Sequence, residues 1–437
     1  MTKVTVIGAG LAGCEAAWQL ANEGFEVDLY EMKPQKFSPA HKYKGFAELV
    51  CSNSLKASRL DSAAGLLKEE MRILGSLIVP CAEKTSVAAG GALAVDRTAF
   101  SDLVTQKIKS CDKIKIISEE VNEIPDGNVI IATGPLTSGG LAESITKKCG
   151  EYLSFFDAAA PIVSFESLDK ELVFFASRYG KGDDDYINCP MNKDEYLSFY
   201  NALLNAESAE LKEFDKQSFK VYEGCMPIEV LAKRGEDTMR FGPLKPVGLT
   251  DPRTGKRPYA VVQLRKENSE GTMYNLVGFQ TNLKFGEQKR VFSMITGLEN
   301  AEFIRYGVMH RNSFINSPKL LNADFSMRKY PEIFFAGQIT GVEGYIESAA
   351  SGIMAGKNMA RRIKGQETLI LPETMMIGAL SRYISDEYVT NFQPMGCNMG
   401  ILPELPERIR DKKIKYQALA DRSVESLKGM IKNENNC

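Results

Sequence analysis

KVTVIGAGLAGCEAAWQLANEGFEVDLYE, residues 3–31, is the stretch on which the fold turns. KVTVI is a short β-branched, apolar run that stops at glycines. LAGCEAAWQLANEG (11–24) has helix-forming composition and ends at Gly24, and FEVDLYE (25–31) is a second strand closing on an acid. Strand, glycine turn, helix and strand in this order predict the first unit of a doubly wound parallel sheet. Gly8, Ala9, Gly10, Leu11, Ala12 and Gly13 form G-x-G-x-x-G inside that turn. The first glycine permits the tight turn, the second lets backbone approach a pyrophosphate, and the third lets helix pack on strand. The helix N-terminus adds N–H groups and a positive dipole end for the phosphates. Glu31 stands where a carboxylate takes the ribose 2′-hydroxyl, so the expected nucleotide lacks a 2′-phosphate.

Two further strand-to-glycine turns lie far downstream, VIIATG (129–134) and FFAGQITGVEGYIESAASG (334–352). They resemble the later motifs of two-dinucleotide-fold flavoproteins, although Gln338 follows Gly337 where many such families carry Asp. Gly134, Gly337 and Gln338 therefore join the expected cofactor contacts, and tightly held FAD is favoured over a dissociable nicotinamide. No fingerprint marks a second, transient NADPH or NADH site.

Between these turns the pattern varies. Residues 37–91 are irregular apart from a helix within 62–74. A second helix is expected after residue 94, and strands at 113–118 and 128–134. Residues 151–320 bring more aromatics, Pro and charge, and read as a mixed domain inserted into a discontinuous FAD-binding domain of residues 1–150 and 321–437. The tail from about 366 reads as helical and charged. The expectation is thus an α/β fold, a doubly wound FAD-binding domain with an inserted mixed α/β domain.

Composition bounds the rest. The chain has 437 residues, a formal charge of −2 and two histidines, so any nucleic-acid site must be a local patch. Nine scattered cysteines without a C-x-x-C pair read as reduced thiols, and with so few histidines they predict no metal site. MTKVTVIGAG opens directly on a strand pattern, and no run is long and apolar enough to span a bilayer. A cytoplasmic protein without membrane contact is expected.

Two thiols differ in setting from the others. Cys51, in AELVCSNSLKA, heads a polar loop leaving an apparent apolar strand. Cys225, in YEGCMPIE, lies between Gly224 and Met226-Pro227. Cys14 reads as packing. Residues 231–266 then carry nine Lys or Arg against three Asp or Glu. Lys233, Arg234, Arg240, Lys245, Arg253, Lys256, Arg257 and Arg265 are the candidate RNA contacts, with Phe241 and Tyr259 interleaved to stack on bases. The bland alternative is a solvated face with internal salt bridges.

The strings GAGLAGCEAA, AELVCSNSLK, GGALAVDR, EGCMPIE, RFGPLKPVGL, MHRNSFINSP and FAGQITGVEGYIESAASG resemble the folate- and FAD-dependent tRNA (uracil-5-)-methyltransferases of bacteria, over about residues 1–365. The resemblance implies methylation of C5 of the T-loop uridine, tRNA position 54. The carbon would come from 5,10-methylenetetrahydrofolate, with FAD as redox cofactor and NADPH or NADH as reductant. A branch of the family acts on large-subunit ribosomal RNA instead. Uracil C5 becomes nucleophilic only after a thiolate adds to C6, and a base must then remove the C5 proton. By similarity Cys225 is the candidate nucleophile and Cys51 the candidate for proton removal or for handling the one-carbon unit. The residues themselves leave these two roles exchangeable. A flavin thiol–disulfide oxidoreductase is the rival reading.

Overall fold

The computed structural model describes residues 3–150, 152–180, 183–209, 226–390 and 392–434. Its first sheet has five parallel strands, ordered Ile333–Phe335, Val129–Ile131, Lys3–Ile7, Glu26–Tyr30 and Ile114–Ile117. Val129, Ile130 and Ile131 are all fully buried, as a strand covered on both faces requires. The strands expected from sequence are these: Lys3–Ile7 matches KVTVI, the strands expected at 25–31, 113–118 and 128–134 are shorter, and the last begins at Ile333.

Helix Leu11–Asn22 follows the first strand and packs against helix Tyr345–Ile363. Gly352 and Gly356, one turn apart, make that contact close. A Cβ on Gly352 would stand 2.2 Å from the Ala12 carbonyl oxygen, and one on Gly356 would stand 2.7 Å from that of Ala16. The last flavin-type motif is thereby pressed against the first glycine turn, although 320 residues of chain separate them.

Ser62 caps helix Ala63–Ile73 by accepting from Gly65 N–H, and Asp96 caps helix Arg97–Lys109 through Ala99 N–H. The region read as irregular also contains helix Ile78–Lys84 and a small antiparallel sheet ordered Ser54–Ala57, Ala92–Val95, Ser86–Val87. The apparent strand before Cys51 does not form. The Leu49 carbonyl accepts from Arg97 Nη1 at 2.7 Å and the Val50 carbonyl from Arg305 Nη2 at 2.6 Å. Guanidinium groups thus take the backbone acceptors that a strand ladder would have used.

A second, antiparallel sheet has six strands, ordered Phe174–Phe175, Tyr186–Met191, Ala260–Lys266, Met273–Leu276, Ile162–Ser164 and Phe303–Arg305. It has its own core, in which Ile187, Cys189, Val262 and Leu264 meet Tyr196, Phe199, Ile228 and Phe292. A two-stranded ribbon, Leu153–Ala158 with Met309–Phe314, brackets this sheet in sequence. Beyond residue 366 the tail forms helices Met376–Ser385 and Lys412–Glu434. Buried Glu70 fastens both by accepting from Met376 N, Ile377 N and Ser423 Oγ at 2.6–2.8 Å.

Candidate active site

A cavity of approximately 490 Å³ opens at the carboxyl ends of the parallel strands, where doubly wound sheets bind ligands. Gly8, Gly10, Leu11, Ala12, Glu31, Gly134, Gly337 and Gln338 line it, along with Cys51 and Tyr345. Each glycine of the first turn has a distinct reason. Gly8 holds φ +98°, and a Cβ there would lie 2.6 Å from the Ala132 carbonyl oxygen. A Cβ on Gly13 would overlap the Gly8 carbonyl oxygen at 1.7 Å. Gly10 has no protein atom within 4 Å of its Cβ position, so its clearance serves the cavity and not the fold. This bare cradle fits a pyrophosphate approaching the helix N-terminus.

Ala9 and Gly13 stand behind the cavity wall. Ala9 N–H donates to Glu31 Oε2 at 2.9 Å, and Lys33 N–H donates to Oε1 at 3.0 Å. The carboxylate is therefore oriented by two backbone amides, and each oxygen keeps a lone pair for a sugar hydroxyl. Lys33 and Glu48 line the same end, as does His41, whose Nδ1 lies 2.6 Å from Ser38 Oγ. Sequence reasoning passed over these residues, which carry no motif spacing. Cys14 is buried, its thiol donating to the Ala9 carbonyl, and burial pushes its pKa well up, consistent with packing.

Cys51 is half-buried at the cavity edge, and its thiol reaches the Ala158 carbonyl at 3.6 Å. Its loop is held from several sides. The phenolic oxygen of Tyr345 accepts N–H groups from Cys51 at 2.7 Å and Ser52 at 3.1 Å. Arg265 donates to Ser52 Oγ at 2.7 Å and to Asn53 Oδ1 at 3.0 Å, while Arg97 reaches the Cys51 carbonyl at 3.4 Å. Arg97 also pairs with buried Glu267 at 2.6 Å. Burial lowers the pKa of Arg265 and of Arg305, and burial raises that of Tyr345, which stays a phenol at neutral pH. Three guanidinium groups thus converge on one thiol-bearing loop. Of this shell only Arg265 was singled out in the sequence, as an RNA contact.

Lys68 and Lys56 extend the shell. Lys68 is buried, donates to the Leu55 and Ala57 carbonyls at 2.8 Å, and has its pKa lowered to about 8 by burial. Lys56 pairs at 2.6 Å with buried Glu347, which also accepts from Cys397 N–H at 2.9 Å.

Cys225 lies outside the described residues. The chain that follows it is anchored at the cavity. Ile228 N–H donates to the Gln280 carbonyl at 2.7 Å, and Gln280 lines the cavity with Cys51. Glu229 accepts from Thr281 Oγ1 and Asn282 N–H, and burial raises its pKa.

The basic run divides. Lys233, Arg234, Lys256 and Arg257 are exposed and Lys245 is half-buried. Arg240 lies over the Tyr259 ring at 3.6 Å and pairs with Asp237. Arg253 grips Asp251 through two nitrogens. Arg265 is buried against the Cys51 loop, so it cannot meet a phosphate at the surface. Burial on the strand face opposite Val262 and Leu264 moves it from the cradle to the thiol. Among the described residues no group of three or more His, Cys, Asp or Glu side chains could hold a metal, and no helix is long and apolar enough to cross a membrane.

Fold and cavity define an FAD-binding-type doubly wound protein with an inserted mixed domain, which presents a thiol at the nucleotide cleft. The same architecture occurs in a solved structure of Aquifex aeolicus GidA, with a TM-score of 0.70 at 17% identity over 99% of this chain and 76% of that one. Residues 3–367 match the family model described as Glucose inhibited division protein A. The methylenetetrahydrofolate--tRNA-(uracil-5-)-methyltransferase of Acetivibrio thermocellus is 62% identical over 98% of both chains. That of Desulforamulus reducens is 60% identical over 100% of this chain and 99% of its own. The chain belongs to the Glucose inhibited division protein A family and, with these relatives, to its methylenetetrahydrofolate--tRNA-(uracil-5-)-methyltransferase branch.

Proposed function

We propose that this protein methylates C5 of the T-loop uridine at position 54 of tRNA in the cytoplasm, drawing the carbon from 5,10-methylenetetrahydrofolate. One observation carries the reading: Cys51 and the segment that directly follows Cys225 are anchored on the same dinucleotide-type cavity. The relatives' names, which specify tRNA, favour this acceptor over ribosomal RNA. A thiol–disulfide oxidoreductase would leave the exposed cations idle.

Gly8, Gly10, Leu11, Ala12, Gly134, Gly337 and Gln338 would hold FAD, with Glu31 on its ribose. Once reduced by NADPH or NADH, FAD supplies the electrons that take a methylene unit to a methyl group. The chain supplies the rest. The Cys225 thiolate adds to uracil C6, which makes C5 nucleophilic toward the carbon donor. Cys51 takes the C5 proton once the carbon is attached, tetrahydrofolate leaves that carbon, and after the carbon's reduction to methyl the Cys225 thiolate is expelled from C6, which restores the ring. Arg97, Arg265 and Tyr345 fix the Cys51 loop from behind. Residues 151–320 are the substrate domain inserted between 1–150 and 321–437. Lys233, Arg234, Lys245, Lys256 and Arg257 meet phosphates on the substrate domain's surface, with Arg240 and Arg253 beside them. The uridine leaves the folded tRNA loop to reach the cavity.

Incubation of the protein with methylenetetrahydrofolate, NADPH and unmodified tRNA should place a methyl group at position 54. RNA containing 5-fluorouridine should trap a covalent adduct that Cys225→Ala abolishes and Cys51→Ala retains. The reverse pattern would exchange the two roles, and failure to methylate tRNA would overturn the function.

A further inference from the structure

Lys56 holds φ 62°, a left-handed conformation that a residue with a long side chain adopts only where its surroundings impose it. A single buried cation imposes it. Lys68, 1% exposed, donates through Nζ to the Leu55 and Ala57 carbonyls, each at 2.8 Å, and so grips the chain on both sides of Lys56. Burying an ammonium on two neutral carbonyls is costly, and so is the backbone strain it enforces. What the fold obtains from both is a fixed aim for one side chain, that of Lys56, which lines the cavity.

The ammonium is aimed at the start of helix Tyr345–Ile363. Gly344 caps that helix at φ 126°, and a Cβ on Gly344 would stand 2.9 Å from Lys56 Nζ. Glu347 Oε1 accepts from Lys56 Nζ at 2.6 Å and from Cys397 N–H at 2.9 Å. The carboxylate is fully buried, whereas 46% of the Lys56 side chain is exposed beside Gly344 and Tyr345 at the cavity. The ion pair is therefore a dipole with its positive end toward the cavity, and the helix adds its own positive end there. Helix stability alone disfavours a cation at that end, so the arrangement suits an anionic ligand. Glu31 and the first glycine turn claim the ribose and pyrophosphate of FAD, which leaves its redox ring for the end lined by Cys51, Lys56, Gly344 and Tyr345. Hydride transfer from NADPH or NADH brings that ring two electrons and one proton, and so one negative charge. We propose that Lys56 compensates the charge of the reduced ring and thereby sets the reduction potential of the bound FAD. This rests on the FAD-dependent function proposed above.

The test reads the midpoint potential of the holoenzyme by anaerobic spectroscopic titration. Lys56→Met keeps the length of the side chain and removes its charge. It should weaken binding of reduced FAD roughly 10-fold relative to oxidised FAD, which lowers the potential by about 30 mV for a two-electron couple. Lys56→Arg should hold the wild-type potential. Glu347→Gln removes the negative end of the pair and should raise it. A purely structural role for the pair predicts shifts of one sign in both charge-removing variants, and that result would overturn the proposal. So would an unmoved potential in Lys56→Met accompanied by a raised KM for methylenetetrahydrofolate, which would give the ammonium to folate, or by no other change. If Lys56→Met does not fold because Glu347 is left uncompensated, the double variant with Glu347→Gln takes its place. Its potential should fall by less, since the ammonium is the nearer charge, and a wild-type value would overturn the role. A wild type that binds no FAD would fail the cofactor assignment first and this inference with it.

Discussion

The phenolic oxygen of Tyr345 accepts the Cys51 N–H at 2.7 Å, which ties the first residue of the last flavin-type helix to the candidate thiol, 294 residues earlier in the chain. The same oxygen accepts from Ser52 N–H. Two amides at the head of the thiol loop thus depend on one hydroxyl.

Tyr345→Phe would leave both part-buried amides without their partner, at about 1–3 kcal/mol each in the loop's preferred geometry. The expected result is a kcat lowered roughly 10- to 100-fold with flavin content unchanged. Single-turnover methylation alongside the flavin absorbance checks it. Full activity would mean that the loop is held sufficiently by Arg97 and Arg265.

Gly10→Ala and Gly13→Ala should fail differently. A Cβ at position 10 meets no protein atom, so the apoprotein should melt normally while FAD affinity falls, because the methyl occupies the phosphate approach. A Cβ at position 13 overlaps the Gly8 carbonyl, so that variant should lose thermal stability outright. Calorimetry of apoprotein together with FAD titration separates the two.

The Arg97–Glu267 pair is mostly buried, with side-chain exposures of 16% and 2%. Removing one partner of such a pair typically costs about 3–5 kcal/mol, since the other charge is left uncompensated. Glu267→Ala should therefore lower the chemical-denaturation midpoint clearly. An unchanged midpoint would show that the Leu49 and Cys51 carbonyls compensate Arg97 unaided.

Burial raises the pKa of Glu70 to about 7 from an ordinary 4.5. Because the folded state then holds the proton that the unfolded state has released, stability contributed at this site falls as pH rises between about 4.5 and 7. It stays lower above that window. Glu15, raised to about 7 by burial while accepting from Leu77 and Ile78 N–H, adds in the same direction. Glu70→Gln should flatten this part of the pH profile of unfolding free energy relative to wild type, and parallel profiles would contradict the assignment.

Neutralising Lys256 and Arg257, both exposed, should weaken tRNA binding and reduce the salt slope by up to about 2. Filter binding across a salt series measures it. Neutralising Arg265 should instead reduce methylation without changing that slope, because its guanidinium meets Ser52 and Asn53.

Local signals carried the doubly wound unit. Residues 3–31 combine two short apolar strands, a G-x-G-x-x-G turn leading into a helix, and an acid at the second strand's end, all spelled out within about thirty residues. The later glycine turns were legible for the same reason, and Gly134 and Gly337 line the cavity with Cys51. The shell around Cys51 was not. Arg97, Arg305, Tyr345 and Lys68 come from four distant segments, and each is an ordinary residue in its own neighbourhood. Sequence spacing misassigned Arg265 because a cation inside a basic run looks like a surface cation until strand alternation turns it inward. The apolar residues before Cys51 looked like a strand because sequence displays hydrophobicity but not which donors will reach the carbonyls. The amino-acid sequence by itself determined the doubly wound nucleotide-binding fold. Only the tertiary structure decided which charges surround Cys51 and which remain in solvent, since long-range hydrogen bonds to backbone groups leave no periodic mark in the chain.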